Sequence, residues 1–261
     1  MGKIISLVNQ KGGVGKTTSS INLASSLAFL GKKVLLVDLD SQGNATTGVG
    51  INKGDIDKSM YEVLKGEVDI KNTILKTDYY GLCIVPASIN LAGLDIELIE
   101  KARTEGSFVK GAQLKSQLDR LKESFEYIIL DCPPSLGLIT TNALTASDSV
   151  IIPVQCEFYA LEGITQLLRT IMLVQKGLNP NLNIEGVLLT MLDSRTNLGF
   201  EVVEDIRKFF KEKVYNTIIP RLVRLTEAPS HGEPIIVYDP KSRGSEAYIN
   251  LAKEVIERNG K

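Results

Sequence analysis

Short apolar runs alternate with segments of helical periodicity along most of the chain. The apolar runs predict buried strands at residues 4–8, 34–37, 82–85, 127–130, 150–154, 186–189 and 218–219. Runs of Val, Ile and Leu without polar alternation are typical of strands that are covered on both faces, as in parallel sheets. The sequence therefore predicts a parallel sheet that is buried between two layers of other elements.

Between most of these runs, apolar residues recur every three or four positions. This spacing predicts helices at residues 21–30, 114–125, 164–171, 202–210 and 246–258, with shorter ones near 59–64 and 91–102. Gly31 stands where a helix C-cap is expected, just before the second strand. The alternation predicts a doubly wound α/β fold, with a mostly parallel sheet flanked by helices and right-handed crossovers. We expect one domain over residues 1–261.

Composition narrows the classes of function. The chain has 261 residues, a formal net charge of -1 and a pI near 6.0, so its overall charge gives no sign of nucleic-acid binding. Cys83, Cys132 and Cys156 lack metal-ligand or redox spacing and fit buried thiols in a reducing cytosol. We expect no signal peptide and no membrane span, and the mixed charges of the last helix argue against a membrane-surface role. A cytoplasmic protein is expected.

The segment at residues 10–18, Gln-Lys-Gly-Gly-Val-Gly-Lys-Thr-Thr, lies between the first strand and the first helix. This order is the context of a phosphate-binding loop, in which backbone N–H groups and the positive helix end face the phosphates. Lys16 is predicted to reach the β- and γ-phosphates of ATP, and the Thr17 hydroxyl to ligate Mg²⁺. The predicted nucleotide contacts in this loop are Gly12, Gly13, Val14, Gly15, Lys16, Thr17 and Thr18.

Two further segments at strand ends have acidic residues. Asp38 and Asp40 end the second strand, and residues two apart on a strand face the same side, so we expect one near Mg²⁺ and one at the attacking water. A turn with a capping Asp is the alternative. Asp131 ends the strand at 127–130 and is predicted to hold Mg²⁺, usually through water. The following Pro133 and Pro134 disfavour a helical start, so this segment is predicted to act as a switch.

The phosphate loop departs from the common spacing, which would place glycine where this chain has Gln10, and it adds a second lysine, Lys11. This form resembles the deviant Walker A motif of the ParA/MinD group of P-loop ATPases. The chain resembles chromosomal ParA proteins of the Soj type in particular. The segments that resemble them are residues 9–18, 34–46, 131–137, 142–148, 153–163, 188–196 and 219–232. Ser41 departs from the proline that is frequent in this family.

The resemblance implies an ATPase cycle. ATP drives a sandwich homodimer that binds double-stranded DNA without sequence preference, and a ParB-type partner stimulates hydrolysis and release, which implies nucleoid association. Lys11 reaches the phosphates of the other subunit, Gly12 permits close approach, and Asp40 positions the water, so the catalytic residues are Lys11, Lys16 and Asp40. Adenine contacts implied by the resemblance are Met191, Pro220, Val223 and Glu227. Implied DNA contacts are Arg195, Arg221, Arg224, Lys241 and Arg243.

Other classes remain open from the sequence. The same loop occurs in membrane-associated positioning ATPases of the MinD kind and in metallocluster proteins related to nitrogenase reductase, which hold a cluster with interface cysteines. Cys132 lies beside Asp131, but no second cysteine has a suggestive relation to it. From charge alone, the arginines of the C-terminal third also fit a solvated surface of mixed charge. His231 has no second histidine nearby, so we expect a structural role for it.

Overall fold

The computed structural model describes residues 2–105, 112–157 and 162–260. The strands are β1 (Lys3–Leu7), β2 (Val34–Asp38), β3 (Leu75–Lys76), β4 (Leu82–Val85), β5 (Tyr127–Asp131), β6 (Ser149–Gln155), β7 (Asn183–Leu192) and β8 (Val214–Pro220). The helices are α1 (Lys16–Phe29), α2 (Asn44–Thr47), α3 (Met60–Lys65), α4 (Leu91–Glu105), α5 (Ala112–Asp119), α6 (Leu138–Ala146), α7 (Glu162–Gly177), α8 (Asn197–Phe210), α9 (Val223–Glu227), α10 (Ile235–Tyr238) and α11 (Arg243–Asn259).

The strands form one sheet in the order β3-β4-β2-β5-β1-β6-β7-β8. All neighbouring strands are parallel except β3 and β4, which are antiparallel. From β1 the chain first builds the β2 side of the sheet and later the β6 side, so the strand order reverses at β1. Such a reversal opens a crevice at the carboxyl ends of the strands, where ligands bind in this architecture. The predicted α/β fold class is confirmed.

Each face of the sheet has its own hydrophobic core. Alternate strand residues point to opposite faces, so Ile4 and Leu35 belong to one core and Ile5 and Leu36 to the other. Helices α3 to α8 cover the first face, and α1, α2 and α9 to α11 cover the second. Because both faces are covered, the strands contain almost no polar alternation, which is why they were detectable as apolar runs.

Three local features differ from the expectations. The helix predicted over 114–125 ends at Asp119, and Leu121 and Phe125 reach the core through turns. Helix α6 was not predicted, because its threonine-rich sequence has little helical periodicity. The antiparallel β3 is two residues long and is too short to give a periodic signal. Residues 158–161, which lie in the resembling segment 153–163, are outside the described residues.

Candidate functional site

The phosphate loop joins the centre of the sheet to α1. Gly13 and Gly15 have φ angles of 74° and 85°, in the left-handed region that glycine enters at little cost. Asn9 holds the start of the loop, since its side-chain amide donates to the Pro153 carbonyl at 2.7 Å and its Oδ1 accepts from Lys11 N–H at 3.0 Å. Gly15 is the N-cap of α1, so the first N–H groups of this helix face the loop.

Lys16 lies in this loop with its ammonium group largely buried. The Nζ atom donates to the Lys11 carbonyl at 3.1 Å. Burial lowers the pKa of Lys16, and the nearby Asp131, Cys132 and Asp40 oppose that shift. An anionic phosphate at this place would favour the charged ammonium form, so Lys16 fits the role of a phosphate ligand.

Asp131 ends β5 next to the loop and is completely buried. Its Oδ1 accepts from Ser20 Oγ at 2.8 Å, whereas its Oδ2 is buried with no hydrogen-bond partner in the described chain. Burial and the neighbouring Asp38 raise the pKa of Asp131 to about 7, although the nearby Thr17 hydroxyl and the hydrogen bond from Ser20 lower it. A buried carboxylate with a free oxygen beside Thr17 fits Mg²⁺, directly or through a water ligand.

The Asp38 carboxylate is hydrogen-bonded within the protein. Its Oδ2 accepts from the N–H and hydroxyl of Thr46 at 2.8 and 2.7 Å, and its Oδ1 accepts from Asp40 N–H at 3.1 Å. Both oxygens are therefore used within the protein, and Asp38 does not line the phosphate cavity. Because β2 ends at Asp38, the two acids do not share a strand face, and only Asp40 lines the cavity. Of this pair, Asp40 alone is placed to meet a water molecule.

Two adjoining cavities lie at the carboxyl edge of the sheet. The first, of about 350 Å³, is lined by Gly12, Gly13, Gly15, Lys16, Thr17, Thr18, Asp40, Gln42, Asn44, Pro134 and Met191. The second, of about 130 Å³, shares Gly15, Thr18 and Met191 with it. Its other lining residues are Thr190, Ile219, Pro220, Arg221, Leu222, Leu225, Thr226 and Tyr248. A polar cavity for phosphates beside a smaller, more apolar one fits a nucleotide with its base in the second.

The residues predicted to contact adenine divide into two groups. Met191 and Pro220 line the second cavity, and Met191 has an unusual positive φ of 54° at this position. Val223 is 71% exposed, and Glu227 interacts with Arg224 at 3.3 Å, so neither lines the cavity. Their contact with the base remains a prediction.

Lys11 and Gly12 lie at the rim of the first cavity. The Lys11 ammonium is 3.8 Å from Glu157 Oε2, and its side chain does not line the cavity of its own subunit. A Cβ atom placed on Gly12 meets no atom of the described chain within 4 Å, its chain neighbours aside. Within the described part of one subunit, the Lys11 ammonium has only this long ion pair, and no neighbouring atom requires a glycine at position 12.

The five basic residues predicted to contact DNA lie at the same edge of the sheet. Arg195 follows β7 and Arg221 follows β8, and a hydrogen bond of 3.0 Å from Arg221 N–H to the Leu192 carbonyl joins the two strand ends. Helix α11 runs back along β8, since Glu254 accepts from the backbone of Asn216 and Thr217. The start of α11, with Lys241 and Arg243, therefore lies at the same edge of the sheet as the other three.

Acidic side chains accompany two of these arginines. Arg195 is 84% exposed and donates to both carboxylate oxygens of Asp193, at 2.9 and 2.6 Å. Arg224 lies 3.3 Å from Glu227 and 5.7 Å from the ring centroid of Tyr238. These carboxylates reduce the net positive charge of the face. The overall balance of acidic and basic residues in the sequence therefore gives no sign of a basic surface. His231 stacks on Tyr238 with the ring centroids 5.0 Å apart, a contact that fits a structural role.

Several residues that shape the site were not identified from the sequence. They are Asn9, Ser20, Thr46 and Thr190. Thr190 Oγ1 donates to the Val14 carbonyl at 2.9 Å and so joins β7 to the phosphate loop. Single Ser, Thr and Asn residues are common in every context, so no pattern marks them. Their partners are distant in the sequence, and only the fold brings them together.

Two other features of the molecule do not favour a different chemistry. A hollow of about 670 Å³ at the amino edge of the sheet contains lysines, but it has no glycine loop and three of its lysines are paired with carboxylates at 2.8 to 3.0 Å. In residues 2–105, 112–157 and 162–260, no cluster of three or more His, Cys, Asp or Glu side chains could hold a metal ion. Nothing in this part of the chain therefore favours a metallocluster.

Comparisons with known proteins agree with this geometry. A family model described as an AAA domain matches residues 2–184. The chain is 60% identical to the sporulation initiation inhibitor protein Soj of Bacillus subtilis over 98% of both chains. It is 48% identical to the chromosome-partitioning ATPase Soj of Treponema pallidum, over 100% of this chain and 99% of that one.

A solved structure of a cobyrinic acid a,c-diamide synthase from Mycobacterium smegmatis, with bound ADP and magnesium, is similar with a TM-score of 0.85 and 36% identity. The match covers 100% of this chain and 97% of that one. The identity to the Soj proteins is higher, so the sequence comparison favours partitioning proteins over a synthase.

Proposed function

The chain belongs to the Soj/ParA family of chromosome-partitioning ATPases, and from this membership we propose that it partitions DNA by an ATP-driven cycle of assembly and release. It is an ATPase that uses ATP and Mg²⁺. In the proposed cycle, two ATP-bound subunits form a sandwich dimer that binds double-stranded DNA without sequence preference. Hydrolysis, stimulated by a ParB-type DNA-binding protein, returns the chain to a monomer that leaves DNA.

Four residues at the phosphate loop have proposed roles in hydrolysis: Lys16, Thr17, Asp40 and Asp131. Lys16 binds the β- and γ-phosphates, while Thr17 and Asp131 would hold Mg²⁺, which neutralises charge that develops on the transferred phosphoryl group. Asp40 lines the cavity with a carboxylate that accepts from Gln42 N–H at 3.0 Å, and it is suited to orient the attacking water. Asp38 supports Asp40 from behind through its hydrogen bond to the Asp40 N–H group.

Dimerisation is supported by the rim of the cavity. The Lys11 side chain is partly exposed and does not line the cavity of its own subunit, and a Cβ atom on Gly12 would meet no atom of the described chain. A second subunit that packs on this rim would place its phosphates within reach of Lys11 and would need a residue without a side chain at position 12. ATP would thereby be linked to assembly, because Lys11 gains a phosphate partner only in the dimer.

DNA binding is supported by the common location of Arg195, Arg221, Arg224, Lys241 and Arg243. One subunit offers a modest number of cationic groups to DNA phosphates, and part of their charge is offset by neighbouring acids. A dimer that presents two such faces doubles this number, and each phosphate that is neutralised adds to the affinity and to its salt dependence. ATP would then control DNA affinity through assembly alone, with no change inside either face.

The proposed location is the cytoplasm, in association with the nucleoid. No helix among the described residues has the length and apolar character needed to cross a membrane. A membrane-associated role of the MinD kind would instead show as ATP-dependent co-sedimentation with lipid vesicles.

The observation on which the proposal rests is a cavity suited to Mg-ATP that has an open Gly12 in its lining and a partly exposed Lys11 next to it. The test is the binding of labelled duplex DNA by fluorescence anisotropy, with ATP, with ADP and without nucleotide. We expect tight binding with ATP only, equal affinity for unrelated sequences and a steep loss of affinity with salt. Equal binding in all three nucleotide states would contradict the proposal.

A further inference from the structure

Helix α6 begins just after the switch segment that follows Asp131, and its start is held by another helix. The N-cap residue, Gly137, has no side chain with which to cap the helix, so the first N–H groups need an acceptor from elsewhere. Asp95 of α4 supplies it, because its Oδ2 accepts from Leu138 N–H at 3.3 Å. A carboxylate at this place also interacts favourably with the positive end of the α6 dipole.

The contact between Asp95 and the start of α6 also depends on the glycine at position 137. A Cβ atom placed on Gly137 would overlap Asp95 Oδ2, so only glycine lets the carboxylate reach the helix start. The second carboxylate oxygen, Oδ1, is buried and has no hydrogen-bond partner in the described chain. An unpartnered buried oxygen is unfavourable, so the contact with α6 must offset this cost for the arrangement to be stable.

Asp95 acts on a segment that forms part of the phosphate cavity. Pro134 lines this cavity, and it lies between Asp131, which β5 holds, and the α6 start, which Asp95 holds. Within the segment, Thr140 Oγ1 donates to the Ser135 carbonyl at 2.6 Å and fixes the first turn of α6 to the loop. The segment is thus held at both ends. At the α6 end, the contact comes from Asp95 of a different helix, α4.

We propose that Asp95 is a positioning residue for ATP hydrolysis, holding Gly137 and Leu138 so that Pro134 keeps its place in the lining of the phosphate cavity. This inference rests on the proposed ATPase cycle and does not require DNA binding. The phosphate loop is built by β1 and α1, to which Asp95 makes no hydrogen bond or ion pair. Loss of Asp95 therefore misplaces the segment that contains Pro134, while the phosphate loop keeps its own hydrogen bonds.

The test is steady-state ATP hydrolysis by the full chain, with kcat and KM measured separately for Asp95→Ala. We expect kcat to fall roughly ten- to a hundredfold, as for a small misplacement of a reacting geometry. We expect KM and the affinity for ADP to stay within about twofold, because the binding residues are untouched. Asp95→Asn keeps an acceptor oxygen and should recover part of kcat.

Glu97→Ala is the matched control. It removes an acidic side chain from the same helix two residues away, where Glu97 accepts from the Tyr61 hydroxyl, and it should leave kcat unchanged. Gly137→Ala should reproduce the effect of Asp95→Ala, and the double variant should be no worse than either single one, because both disrupt the same interaction.

An unchanged kcat in Asp95→Ala, additive effects in the double variant or a parallel loss of ADP affinity would each overturn the proposal. If Asp95→Ala does not fold, Asp95→Asn and Gly137→Ala decide the question. A kcat equal to that of the wild type in both of these variants overturns the proposal. A wild-type chain without ATP hydrolysis would instead contradict the ATPase activity itself.

Discussion

At the residue scale, two buried carboxylates give the site its unfavourable electrostatics. Asp38 and Asp131 occupy partner positions on the neighbouring strands β2 and β5. Burial is the main cause that raises the pKa of Asp38 to about 6 and that of Asp131 to about 7. Asp38 is compensated by three hydrogen bonds, whereas Asp131 keeps an oxygen without a partner in the described chain. The site is therefore suited to gain stability from a divalent cation.

This electrostatic arrangement predicts a pH effect in the protein without metal or nucleotide. The pKa of Asp131 rises from 3.8 to about 7 on folding, so the folded protein binds the proton more tightly, and its free energy of unfolding falls as pH rises through that window. Asp131→Asn replaces the titrating carboxyl group with a neutral amide, so the free energy of unfolding of this variant does not fall in that pH window. We expect the variant to match the wild type near about pH 4 and to exceed it in stability near about pH 8, in urea denaturation with EDTA.

If the free energies of unfolding of Asp131→Asn and the wild type differ by the same amount at both pH values, the assignment of this pH effect to Asp131 is contradicted. Ser20→Ala is a useful control, because it removes one hydrogen bond to the same carboxyl group but leaves the titrating group in place.

Asp40 has a separate prediction. Asp40→Ala should bind ATP with unchanged affinity, because Lys16 and the loop N–H groups are intact, and it should lose most of its hydrolysis, by roughly a hundredfold or more if the carboxylate orients the water. Single-turnover hydrolysis and equilibrium ATP binding measure the two effects. Turnover near the wild-type rate would remove Asp40 from the mechanism.

At the element scale, β7 connects the phosphate loop and the second cavity to the arginine face. This face is the surface that contains Arg195, Arg221, Arg224, Lys241 and Arg243. Thr190 near its end hydrogen-bonds the phosphate loop, Met191 lines both cavities, and Arg195 follows three residues after the strand. The positive φ of Met191 places an unfavourable backbone conformation at this junction. Strand β7 thus carries residues of the nucleotide cavities and leads into the loop of Arg195.

The bond between β7 and the phosphate loop predicts a stability effect. Thr190→Val keeps the shape but leaves the buried Val14 carbonyl without its donor, so the free energy of unfolding should fall by about 1–3 kcal/mol. Thr190→Ser retains the hydroxyl and should lose less. Urea denaturation of both variants, with the wild type for reference, tests this. A Thr190→Val variant as stable as the wild type would show that the bond contributes nothing.

How far the sequence predicts such elements depends on the range of the interactions that form them. Strands and long helices bury apolar faces, so their period is visible in the sequence, and the phosphate loop is visible because adjacent residues form it. Helix α6 begins at a glycine that is capped by Asp95 from another helix, and no local signal predicts that contact. The place of Asp38 likewise depends on Thr46, eight residues away on a separate helix.

At the scale of the whole molecule, the nucleotide cavities and the arginine face lie at the same carboxyl edge of the sheet. Their common junction is the pair of strand ends at Leu192 and Arg221. A dimer formed over the cavity would therefore also fix how two arginine faces stand relative to each other. That residues 1–261 fold as one unit stays a prediction, for which a single unfolding transition is the expected sign.

Variants on the arginine face should change the affinity for DNA in opposite directions, depending on whether a basic or an acidic residue is removed. Arg195→Ala and Arg224→Ala should weaken DNA binding equally for unrelated sequences and reduce the salt slope, by about 0.9 for each phosphate that is no longer neutralised. Asp193→Asn should strengthen binding, because it removes the carboxylate that pairs with Arg195. Basal ATP hydrolysis should be unchanged in all three. If the three variants bind DNA as the wild type does at several salt concentrations, the DNA surface lies elsewhere.

The central claim is that ATP joins two subunits face to face across the phosphate loops. The most direct measurement is sedimentation velocity of the wild type and of Gly12→Val with Mg²⁺ and a non-hydrolysable ATP analogue. A valine at position 12 has free space within the described subunit, so the variant should fold and bind the nucleotide. The account predicts a dimer for the wild type and a nucleotide-bound monomer for Gly12→Val. A Gly12→Val dimer that sediments like the wild type would contradict it.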